Sequence, residues 1–77
     1  MDLREAFAAN LRRLRHAKGL SRDALAHQAE VSRSYLSQLK KGAVYASLKI
    51  IGRLADALKV EPAGLLRLPP RKGLRRE

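Results

Sequence analysis

Apolar residues recur along this chain at the three- and four-residue steps of amphipathic helices. Leu3, Phe7, Leu11 and Leu14 follow one another at steps of four, four and three, which makes one stripe on a first helix from about Leu3 to Lys18. Asp2 is placed to cap that helix, and Glu5 supplies the reciprocal half of a capping box. Gly19 suits the left-handed position that ends it, with His16 and Lys18 in the last turn. A second helix starts after Ser21 and runs to about Ala29, with Leu20 outside the cap and Leu25 inside it as a hydrophobic staple. A third repeats that grammar after Ser32, with Val31 outside, Leu36 and Leu39 turned inward, and a stop at Gly42. Both segments are too short to be helical alone and must be held by packing.

Ser47 opens a fourth helix from about Leu48 to Lys59, whose Leu48, Ile51, Leu54, Ala55 and Leu58 share one face. Pro62 suits the first turn of a short fifth helix that includes Leu65 and Leu66. Pro69 and Pro70 break the pattern, and the residues after them have no apolar period. The expectation is one all-α domain over residues 1–68, followed by a basic tail over 69–77, extended or disordered.

Composition agrees with helices. Only Phe7, Tyr35 and Tyr45 are aromatic, so an aliphatic core of Leu, Ile and Ala is expected within one small domain of 77 residues. Such a chain buries little core, which makes self-association reasonable from the start.

Charge changes the picture more. Seventeen Lys and Arg against seven Asp and Glu leave a net +10, the balance of proteins that meet a polyanion. By itself it also fits a domain from an Arg-rich proteome. Arg67, Arg71, Lys72, Arg75 and Arg76 against Glu77 give the terminal stretch +4, so +6 stays on the body. Without cysteine there is no disulfide framework and no thiolate zinc site. No run approaches the roughly 18 apolar residues of a membrane span, and Met1 to Glu5 offers no apolar segment for export. A cytoplasmic, nucleoid-associated protein is expected. His16 and His27 have no third ligand nearby, and the acidic residues show no pairing suited to acid–base work. The expectation is no enzyme, no cofactor and no metal.

The informative stretch is Ser21 to Gly42. Two short capped helices are separated only by Glu30, Val31 and Ser32, and the small Ala26 lets them cross closely. This is the helix-turn-helix arrangement, whose second helix projects its N-terminal side chains into a major groove. The run Leu11 to Ala26 resembles the lambda-repressor/Cro-like (XRE-like) regulators. So does Val31 to Gly42, and Ser47 to Leu66 is similar to that family's fourth and fifth helices. The resemblance covers residues 3–66. It implies a five-helix domain that binds operator DNA as a homodimer to regulate transcription.

The resemblance puts Arg33, Ser34, Ser37 and Gln38 where the family reads base edges. It puts Arg22 where the family contacts the backbone or a neighbouring base and Lys41 where it meets phosphate, and Ser32, Tyr35 and Lys40 are expected as further backbone or flanking contacts. The chemistry agrees: Arg forks onto guanine O6 and N7, Gln pairs with adenine, and Ser serves base or phosphate. Taken alone, Arg33 and Gln38 would read as solvated residues of a surface helix. Tyr35 either stacks on DNA or covers the helix crossing. Leu65, Leu66 and Leu68 either line a dimer interface or, for the first two, close the core. Val44 and Tyr45 read as an exposed apolar pair, a partner contact or a patch packed on its own domain.

Three departures from the family pattern stand out. Glu30 occupies a turn often held by Gly, where a left-handed backbone costs roughly 1 kcal/mol. Lys40 stands where Glu often pairs with an Arg of the first helix such as Arg15, so Lys40 is expected to turn to phosphate. The loop Ala43 to Ala46 is less basic than usual and lacks a Pro before Ser47. The expected function is sequence-specific repression by a homodimer on a two-fold operator. The rivals are an antitoxin-like module acting through a protein partner and a non-specific nucleic-acid binder working by charge.

Overall fold

The computed structural model describes residues 2–68, so the basic tail expected over 69–77 lies outside the described residues. Every regular element among them is a helix: α1 (Leu3–Ala17), α2 (Arg22–Ala29), α3 (Arg33–Lys40), α4 (Leu48–Leu58) and α5 (Pro62–Leu66). Helix α1 packs against α3 and α5, α4 packs against α2 and α5, and α2 crosses α3.

Local chemistry sets the boundaries. The side-chain oxygens of Asp2, Ser21, Ser32 and Ser47 accept the N–H groups of Arg4, Ala24, Tyr35 and Ile50 at 2.7, 3.0, 3.0 and 3.2 Å. Each takes up one of the donors a helix start leaves free. The Asp2 carboxylate is also closed by the Arg4 guanidinium, 3.0 Å away, which lowers its pKa below the usual value. Among the described residues Glu5 makes no side-chain bond back to the Asp2 N–H, so the reciprocal half of the expected capping box is not formed. The four longer helices all end on a left-handed residue, at Gly19 (φ 68°), Glu30 (φ 61°), Gly42 (φ 74°) and Lys59 (φ 58°). Beyond each, an N–H reaches back to a carbonyl near the helix end: Leu20 to Arg15, Val31 to Ala26, Ala43 to Gln38 and Val60 to Ala55, at 3.0–3.1 Å. The strain foreseen at Glu30 is therefore present, and Lys59 carries a second instance that was not foreseen.

The core is aliphatic. Leu11, Leu25, Leu36, Leu39, Leu54, Leu58 and Leu65 are its largest fully buried side chains, with Phe7, Ile51 and several alanines between them. Two expected core positions are not in it: Leu3 is 52% exposed and Leu48 85%. Both open their helices, and a helical Cα–Cβ bond leans toward the N-terminus, so a first residue projects past the packed region. Leu65 corrects the dimer expectation in the other direction. It is 0% exposed and closes the core, while Leu66 and Leu68 stay 37% and 55% exposed.

One buried polar residue ties the chain's ends together. Asn10 Nδ2 donates to the carbonyls of Leu65 and Arg67 at 2.9 and 2.7 Å, and its Oδ1 accepts from Arg13 at 3.2 Å. The amide thereby satisfies carbonyls that α5, only one turn long, leaves free.

Two substitutions test these readings by urea and thermal unfolding. Asn10→Ala orphans the carbonyls of Leu65 and Arg67 and is expected to lose about 1–3 kcal/mol. Glu30→Gly relieves the left-handed backbone while keeping its carbonyl for Arg53, and is expected to gain about 1 kcal/mol, or roughly 4–8 °C in Tm.

Candidate nucleic-acid interface

Helix α3 turns Leu36 and Leu39 into the core, which leaves Arg33, Ser34, Ser37, Gln38 and, just past its end, Lys41 exposed on the opposite face. The helix is short enough that this face is one continuous surface. Its hand-hold is the N-cap: Ser32 spends an oxygen lone pair on the Tyr35 N–H and keeps its own O–H as a donor. Tyr35 itself is half-buried and packed against the core. Val44 packs on the core as well, whereas Tyr45 is 66% exposed with the Arg4 guanidinium 4.7 Å over its ring. The expected exposed pair is thus a single aromatic beneath a cation.

Two clefts flank α3. The larger, about 590 Å³, runs between the start of α2 and α3 and is lined by Ser21, Arg22, Asp23, Arg33, Ser34, Leu36 and Ser37. Within it Arg33 Nε and Asp23 Oδ1 form an ion pair at 2.8 Å, which joins the two helices at the surface. The smaller cleft is lined by Arg12, Arg22, Ser37, Lys40 and Lys41, four cations and a hydroxyl with no carboxylate. Arg22 and Ser37 border both, which makes the two clefts one surface.

The cationic cleft exists because α1 brings arginines to both ends of the two-helix unit. Arg15 donates to the Leu20 carbonyl at 2.7 Å, just before α2, and Arg12 donates to the Lys40 carbonyl where α3 ends. Neither arginine is neutralised by doing so. Lys40, half-buried among them, has its pKa lowered by desolvation first and then by Arg15, Arg22 and Arg12. The positive charge of Arg15 bears on Lys40, and so does that of Arg22 and Arg12.

Arg12 and Asp23 were not among the sequence-derived site residues. Arg12 shares the i, i+3 face of Arg15 on α1, a signal that was available. Asp23 gave none, because at the start of a helix a carboxylate already has a reason to be there.

A family model described as a helix-turn-helix domain matches residues 6–68. A hypothetical transcription factor from Neisseria meningitidis serogroup B is 38% identical over 74 residues, which cover 96% of this chain and 69% of that protein. Control protein C.BamHI from Bacillus amyloliquefaciens is 32% identical over 66 residues, 84% of this chain and 82% of its own. The crystal structure of the restriction-modification controller protein C.AhdI from Aeromonas hydrophila superposes with a TM-score of 0.77 at 42% identity, covering 80% of this chain and 94% of that one.

Crowding at Lys40 has a measurable consequence. Its folded pKa lies below 10.5, so at neutral pH the charged ammonium is less welcome in the fold than in the unfolded chain. That penalty declines as pH rises from the folded pKa toward 10.5. Lys40→Met keeps the apolar stem and is expected to stabilise the free protein by about 0.5 kcal/mol at pH 7, solvent screening keeping the gain small. The gain should shrink as pH approaches 10.5, as followed by Tm against pH.

Proposed function

The chain belongs to the helix-turn-helix family, among its XRE-like transcriptional regulators, and on that premise we propose that it represses transcription by binding a two-fold operator as a homodimer. It is a DNA-binding transcriptional regulator. The finer reading rests on one observation: the exposed face of α3 stands beside a cleft of four cations and no carboxylate. A side-chain face that can read base edges thus sits next to a place for phosphate.

In this reading Arg33, Ser34, Ser37 and Gln38 meet base edges from the N-terminal half of α3 in the major groove. Arg12, Arg22, Lys40 and Lys41 grip backbone phosphates, with Ser32 donating its free O–H. A phosphate entering the cleft relieves the repulsion around Lys40, so part of the binding energy comes from a contact unfavourable in the free protein. Leu66 at the end of α5 and Leu68 just past it, both exposed, supply the apolar contact between two copies. As a regulator of transcription it acts on the nucleoid.

Selection from a random duplex pool near physiological salt, with competitor DNA, tests the whole reading. An enriched inverted repeat with half-sites about 10 base pairs apart is expected. A lone half-site would remove the dimer, and binding without enrichment would reduce the interaction to charge. Arg33→Ala should cost about 1–3 kcal/mol and relax one base position. Lys41→Ala should weaken all sequences alike and reduce the salt slope by about one. Lys40→Met, although more stable, should also weaken every sequence.

A further inference from the structure

Arg33, one of the four residues proposed to meet base edges, is paired with a side chain of α2. Its Nε lies 2.8 Å from Asp23 Oδ1 in an ion pair, although both side chains are largely exposed, at 77% and 69%. The geometry points to Asp23 as the positioning residue that makes Arg33 specific, an inference that rests on the base-reading role proposed for Arg33.

An unpaired arginine on a helix surface samples many rotamers, and its guanidinium can turn to a phosphate as readily as to a base. Anchoring Nε leaves the two terminal amino groups as a matched pair of donors, the edge that fits guanine O6 and N7 together. The anchor comes from α2 while Arg33 belongs to α3, so the fork is oriented by the rigid two-helix unit itself. Asp23 lines the groove beside Arg22, Ser34 and Ser37, and it is the carboxylate in a surface otherwise built to attract phosphate. Its presence there disfavours every duplex through repulsion. That penalty is offset only where Arg33 finds its base, since the same carboxylate then steadies the contact. A chain of net +10 would otherwise bind DNA with little regard for sequence. Asp23 thus exchanges affinity for discrimination.

Asp23 also lies in the first turn of α2, where a negative charge interacts favourably with the helix dipole. Asn and Ala replacements separate the two roles. Both remove the charge, but Asp23→Asn keeps a polar oxygen at the same reach from Arg33 Nε.

The test is competition binding with the selected operator and its one-base variants, measured for wild type, Asp23→Ala, Asp23→Asn and Arg33→Ala, with Tm recorded for each. Asp23→Ala is expected to bind non-cognate duplexes more tightly. It should also reduce discrimination by roughly 2–5-fold at the one position that Arg33→Ala relaxes, and nowhere else. Asp23→Asn should gain the same non-cognate affinity while retaining most of that discrimination. Asp23→Ala should have no further effect on discrimination in an Arg33→Ala background. Equal changes for all duplexes in both Asp23 variants would overturn the positioning role while leaving Arg33 as the reader. If Arg33→Ala relaxes no position, the base-reading assignment and the role of Asp23 fall together.

Discussion

Burial of Leu25, Leu36 and Leu39 against Leu11, Leu54 and Leu58 is the interaction that the rest of this structure depends on. Helices α2 and α3 have eight residues each, and segments that short do not stay helical alone in water. Their shape is borrowed from the scaffold of α1, α4 and α5. Asn10 belongs to the same scheme, because it holds the carbonyls at the end of α5 to α1 and so places Leu65 over the core. Without that cover the leucines beneath would meet water.

The same scaffold concentrates charge. Helix α1 must lie against α3 to bury Leu11, and its next turn then delivers Arg12 and Arg15 to the ends of the two-helix unit. There they serve as donors to backbone carbonyls, yet they keep their charge and crowd Lys40. In the proposed function an anion would relieve that crowding, which would set stability against affinity at Lys40.

Much of this was readable in advance. The stripes, the serine caps and the glycine stops each involve residues within about six positions of one another, where helical geometry alone decides who meets whom. The left-handed backbone at Glu30 was readable too, since the turn requires it whatever residue is there. Lys59 was not: a lysine at a helix end already has a favourable interaction with the dipole, and nothing in its identity marks a positive φ. Leu3 and Leu48 fit their stripes and still face solvent, because periodicity gives the direction of a side chain without saying whether another helix extends far enough to cover it.

By itself the sequence determined the number, order and limits of the helices, the aliphatic character of the core and the outward face of α3. Each of these follows from short-range spacing and from the chemistry of caps. Tertiary structure decided which residues act together across helices. Asn10 reaches carbonyls 55 and 57 positions away, Arg12 reaches one 28 positions away, and Asp23 meets Arg33 only because α2 crosses α3 at that point. It also decided that Leu65 is core while Leu66, its neighbour, is not. The physical reason is common to all of them. Partner choice between helices depends on crossing geometry, which comes from the packing of all five at once and is encoded in no single segment.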